Sequence, residues 1–109
     1  MRAKMNNYKC WTRETGPDVL NAKYKKMLQD SGFKIVNEQV YFFDPFGFTA
    51  VYVLSESHFA IHTFPEENAT YLELTSCIDE PFTIFLEKIR KDDVYNEAVE
   101  LSNGYAEAN

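Results

Sequence analysis

Apolar residues in this chain follow two rhythms. Within Pro17–Ser31, Val19, Leu20, Tyr24, Met27 and Leu28 recur at three- and four-residue spacing, which predicts a helix. Pro17 suits the first helical position, and Gly32 can adopt the left-handed conformation that stops a helix. From Phe33 to Phe43, β-branched and aromatic residues predict a strand that ends at the turn Asp44-Pro45-Phe46-Gly47. Three more strands are expected at Phe48–Leu54, His58–Phe64 and Ala69–Cys77, the last two joined by a Pro65-Glu66-Glu67-Asn68 turn. A second helix is expected from about Asp79–Pro81 to Lys91, with Phe82, Phe85, Leu86 and Ile89 on its apolar face. Residues 1–15 are weakly patterned, with a candidate short strand at Tyr8–Trp11; residues 94–101 are a candidate last strand, and the Asn103-Gly104 tail is expected to be loose.

Strands joined by tight turns, with a helix on each side of the meander, predict an α+β two-layer sandwich. It would have an antiparallel sheet of about four strands and two helices on one face. No repeat or linker interrupts the chain, so residues 1–109 are expected to form a single domain. The second face of that sheet then has no cover. Phe48–Leu54 is apolar enough to be buried on both sides, which predicts a homodimer formed through the sheet layer.

Composition narrows the function. A length of 109 residues leaves room for one core. Nine Phe, seven Tyr and one Trp make the chain 16% aromatic, suggesting rings that close a core, pocket or interface. A net charge of −6 argues against nucleic acid or an anionic membrane as the main partner and is compatible with a small cationic ligand. No apolar run has the length of a membrane span, and Met1–Lys9 lacks a signal-peptide segment. Cys10 and Cys77 are therefore expected to be reduced thiols in a cytoplasmic protein. Two cysteines with His58 and His62 make no zinc spacing, so no metal is expected.

The chemistry is concentrated in Leu54-Ser55-Glu56-Ser57-His58, where two hydroxyls, a carboxylate and an imidazole lie between apolar strands. Such a segment is a polar hairpin turn or a reactive one. If Pro65–Asn68 is the turn, Phe64 faces Ala69, Ser57 faces Ser76, and Cys77 falls beside the Glu56–Ser57 peptide bond. A thiol there is either a small buried group or a proton donor. His62 shares a strand face with His58, Ala60 and Phe64 and lies roughly 16 Å along the strand from Ser57. It is either a structural histidine or acts on Ser57 of a second chain.

The run Ser55-Glu56-Ser57-His58-Phe59-Ala60-Ile61-His62-Thr63-Phe64-Pro65-Glu66 resembles the processing-site motif of prokaryotic S-adenosylmethionine decarboxylases, in which ESH precedes an IHTWPE-like segment. Thr75-Ser76-Cys77 stands where that family has a Thr-Cys pair, and Phe43-Asp44-Pro45-Phe46-Gly47-Phe48-Thr49 is similar to its F-x-P-x-G-V-S turn. The resemblance spans roughly residues 17–91. Phe64 replaces the family's tryptophan and Ile78 the glycine after the cysteine; the segment after Glu66, the N-terminal start and the C-terminal length also differ.

The resemblance implies a proenzyme that cuts itself between Glu56 and Ser57 into a β chain of residues 1–56 and an α chain of residues 57–109. Ser57 would become a self-generated pyruvoyl group that binds the substrate amine as a Schiff base, with neither metal nor pyridoxal phosphate. It further implies processing roles for His62 and Thr49, proton donation by Cys77, and substrate contacts from Phe43 (adenine) and Glu66 (ribose). The sites would lie at a homodimer interface, and the product would be decarboxylated S-adenosylmethionine for spermidine synthesis. Two alternatives stand beside this: a pyruvoyl enzyme acting on ornithine or arginine, and a processing-dead regulatory homologue.

Overall fold

A computed structural model describes residues 4–101. In chain order the elements are β1 (Asn6–Thr12), α1 (Pro17–Asp30), β2 (Ile35–Phe42), β3 (Phe48–Leu54), β4 (Ser57–Phe64), β5 (Ala69–Ser76), α2 (Asp79–Ile89) and β6 (Val94–Glu100). All neighbouring strands are antiparallel, and the sheet order is β2-β3-β4-β5-β1-β6.

The α+β class and the helix pair hold, but the sheet has six strands where about four were expected. The physical reason lies in β1. Its buried positions are Asn6, Tyr8, Cys10 and Thr12, so half of its inward face is polar and the apolar alternation is diluted. Both polar ends are satisfied: Asn6 Nδ2 donates to Asp79 Oδ1 at 3.1 Å, and Thr12 Oγ1 donates to the Asp93 carbonyl at 2.9 Å. β6 is an edge strand, half-buried at Val94 and Tyr95 and exposed from Asn96 onward.

Pro17 opens α1, and Gly32 follows it at φ +105°, a conformation that costs glycine no Cβ clash. Leu20, Tyr24 and Leu28, spaced four apart, form the buried stripe. Val19, expected on that face, is instead half exposed. α2 packs Phe82, Phe85, Leu86 and Ile89, and ends at Ile89 rather than Lys91. Both helices lie on one sheet face, over Tyr8, Cys10, Tyr52, Phe59, Ile61, Leu72 and Leu74. Phe59 sits at the centre, its ring 5.8 Å from Tyr24, 6.1 Å from Tyr52 and 5.5 Å from Phe85.

The other face carries Thr49, Val51 and Val53 of β3, His58, Ala60, His62 and Phe64 of β4, and Ala69, Tyr71, Glu73 and Thr75 of β5. None of these is buried. Val53 and Phe64 are 43% and 41% exposed, so no described element of the chain covers this apolar-centred surface.

Candidate active site

Pairing of Leu54 with Ser57 leaves only Ser55 and Glu56 to turn the β3–β4 hairpin. Glu56 does so at φ +60°, a left-handed conformation that costs a side-chain-bearing residue about 1 kcal/mol. The strained residue is therefore the one immediately before Ser57.

β4 and β5 pair in the register expected from the Pro65–Asn68 turn, from Phe64↔Ala69 to Ser57↔Ser76. One step further on, Cys77 meets Glu56. Its backbone N–H donates to the Glu56 carbonyl oxygen at 3.4 Å, and its thiol donates to the same oxygen at 3.1 Å. Two donors on one carbonyl stabilise the negative charge that oxygen acquires when its carbon is attacked. The thiol also lies 3.4 Å from Glu56 Oε1. Burial, then the hydrogen bond and charge of that carboxylate, push the Cys77 thiol above its ordinary range, which keeps it protonated at neutral pH. Cys10 is also free but lies in the core, where burial pushes its thiol up to about 11.

Ser57 itself is buried, on the helix side of the sheet, and its hydroxyl donates to Ser76 Oγ at 2.7 Å. Ser76 is fully buried. Its oxygen accepts the Ile78 N–H at 3.0 Å, and its hydroxyl donates to the Ile78 carbonyl at 3.3 Å. Ser76 lies opposite Ser57 as the strand register predicts, and that register is the signal in the sequence for a role that the motif does not assign to it.

A second cluster lies at the far end of the same strands. Thr49 and His62 are cross-strand partners, with Thr49 Oγ1 3.0 Å from His62 Nδ1. The imidazole stacks on Tyr71, its partner on β5, at a ring separation of 6.2 Å. Tyr71, also unassigned from sequence, packs edge-on against Trp11 at 5.3 Å. Beside them a cleft of about 480 Å³ is lined by Phe43, Phe46, Thr49, His62, Phe64 and Glu66, among others. Phe43 and Phe46 are 51% and 54% exposed, unusual for such large apolar rings.

The expected site residues thus form two groups. Glu56, Ser57 and Cys77 meet at one end of the hairpin; Phe43, Thr49, His62 and Glu66 meet at the other. Five residues of strand, roughly 16 Å, separate Ser57 from His62, and their side chains leave opposite faces of β4. One chain does not join the two groups. Among the described residues no three His, Cys, Asp or Glu side chains cluster as metal ligands would, and no helix is long and apolar enough to cross a membrane.

Comparison with known proteins places these residues in context. The family model described as S-adenosylmethionine decarboxylase matches residues 5–95. The S-adenosylmethionine decarboxylase proenzyme of Fervidobacterium nodosum is 34% identical over 94 residues, covering 83% of this chain and 69% of the relative. That of Thermosipho melanesiensis is 32% identical over 94 residues, covering 83% and 72%. Among solved structures, the adenosylmethionine decarboxylase from Aquifex aeolicus VF5 superposes with a TM-score of 0.68 over 100% of this chain and 98% of that one. At 17% identity, it shows a shared fold.

Proposed function

The chain belongs to the S-adenosylmethionine decarboxylase family, and from that premise we propose that it is a self-processing decarboxylase that cuts its own backbone between Glu56 and Ser57. The observation that carries this reading is the Glu56 carbonyl, held by both the N–H and the thiol of Cys77, next to a serine hydroxyl and behind a strained φ. Ser57 Oγ attacks the Glu56 carbonyl carbon; the C–O bond forms, the C–N bond breaks, and the hydroxyl proton ends on the Ser57 nitrogen. A base then removes the Ser57 α-proton, the Cβ–Oγ bond breaks, and Glu56 leaves as a carboxylate. Water adds and ammonia departs, leaving a pyruvoyl end on residues 57–109 and a free chain of residues 1–56. The strain at Glu56 is relieved once its C–N bond is gone.

The residues present fit that group: the hydroxyl that forms it, donors on the carbonyl, and a protonated thiol alongside. A pyruvoyl group supplies a ketone that takes up the substrate amine and accepts electrons as carbon dioxide leaves. Cys77 holds the proton needed afterwards at the decarboxylated carbon. His62, fixed by Thr49, is the group to take the α-proton during processing. Phe43 in the cleft offers a face to adenine, and Glu66 a carboxylate to the ribose hydroxyls. The product would be decarboxylated S-adenosylmethionine, an aminopropyl donor for spermidine.

Because one chain separates Ser57 from His62, each site is read as shared between two copies. They would pack through the open sheet face, so that the Ser57 end of one meets the His62 end of the other. We place this homodimer in the cytoplasm, with both thiols reduced.

Intact mass under denaturing conditions, followed by carbon dioxide release from S-adenosylmethionine, ornithine and arginine, tests this reading. Two fragments and release from S-adenosylmethionine are expected; an uncut, inactive chain would support the regulatory alternative, and release from a basic amino acid the other. A narrower expectation concerns the thiol. In an uncut Ser57→Ala background, Glu56→Gln removes a charge that raises the Cys77 pKa, so iodoacetamide alkylation of Cys77 should begin at lower pH than with Glu56 present. An unchanged or higher onset would remove Glu56 from control of the thiol.

A further inference from the structure

Ser76 is buried at the end of β5, across from Ser57, and the hydrogen-bonding capacity of its hydroxyl is fully used. Its oxygen accepts from the Ile78 N–H at 3.0 Å and from Ser57 Oγ at 2.7 Å, while its own hydrogen goes to the Ile78 carbonyl at 3.3 Å. The Ile78 backbone therefore fixes Ser76, and Ser76 fixes where the Ser57 hydroxyl hydrogen points. A serine χ1 has three staggered wells. The five-membered ring through Ser57 Oγ, Cβ, Cα, N and the Glu56 carbonyl carbon closes only from an orientation that brings Oγ toward that carbon.

We propose that Ser76 is the in-chain positioning residue for self-cleavage: it selects the Ser57 rotamer that attacks the Glu56 carbonyl and acts only in the amide-to-ester step. This rests on the self-cleavage reading above. The Ser76 oxygen is too weakly basic to keep the proton, which passes from Ser57 Oγ to the Ser57 nitrogen as the C–O bond forms and the C–N bond breaks. Within one copy, Ser76 then directs the nucleophile while Cys77 polarises the carbonyl, and the adjacent residues Ser76 and Cys77 address adjacent residues Ser57 and Glu56 across the strand pair.

The test follows fragment formation by intact mass in the full chain, with and without hydroxylamine, which cleaves an ester but not the starting amide. Ser76→Ala removes one oxygen and needs no extra room. In protein with unchanged circular dichroism, it should slow cutting about ten-fold, one hydrogen bond's effect on a rate. Hydroxylamine should not restore the rate, because the block precedes the ester. Ser76→Thr, which keeps the hydroxyl, should cut within about three-fold of the parent. Cutting of folded Ser76→Ala at the parent rate or faster, its rescue by hydroxylamine, or a folded Ser76→Thr as slow as Ser76→Ala would each overturn the assignment. A parent chain that is never cut removes the self-cleavage reading itself, a result distinct from a cut parent with an indifferent Ser76.

Discussion

A chain carrying Ser57→Ala is expected to remain a single species near 12.7 kDa and to release no carbon dioxide from S-adenosylmethionine. The substitution removes one buried oxygen whose hydrogen bond goes to Ser76, so the loss to stability is about 1 kcal/mol and the fold persists. The chemistry, by contrast, has no substitute. The Glu56 carbonyl keeps both Cys77 donors, but no hydroxyl remains on residue 57 to receive the acyl group. Full loss of cutting in a folded protein separates a missing nucleophile from a damaged scaffold. Cut fragments from this variant would refute the site.

The second large effect concerns two copies together. His62→Ala alone should be cut roughly a hundred-fold more slowly, the usual range for losing a positioned proton acceptor. Co-expressed with Ser57→Ala, the His62→Ala chain should be cut again, because the Ser57→Ala copy still supplies His62 and Thr49 across the interface. Random pairing restores about a quarter of the sites. The geometry gives this its force: Ser57 and His62 are five positions, roughly 16 Å, apart on β4 of one chain. If the His62→Ala chain stays uncut in the mixture while the parent is cut, the shared site is wrong.

Much of the hairpin was legible in the sequence because antiparallel pairing is simple to count. The Pro65–Asn68 turn fixes Phe64 against Ala69, and strand geometry then brings Cys77 to Glu56 with no further information. The face-sharing of His58, Ala60, His62 and Phe64 follows from alternation alone. The β1–β6 end of the sheet was harder. β1 buries two polar residues whose partners, Asp79 and the Asp93 carbonyl, lie more than seventy positions away, so the local pattern offers only the short candidate Tyr8–Trp11 within it and does not tie that candidate to the sheet. Phe43 and Glu66 came from family resemblance; periodicity alone treats a phenylalanine before a turn as core, yet Phe43 is half exposed in the cleft. Ser76 went unassigned because its importance lies in a three-way hydrogen-bond arrangement that depends on Ile78 as well as on register.

The order of strands also decides what severing the Glu56–Ser57 bond would leave behind. The piece ending at Glu56 contributes β1, which lies between β5 and β6 of the other piece, and it contributes β3, which borders β4. The two polypeptides are therefore interlaced, knit along three strand borders and through α1 and α2, so a nick at that hairpin makes two chains without making two bodies. They should migrate as one particle in a native gel and separate only in denaturant.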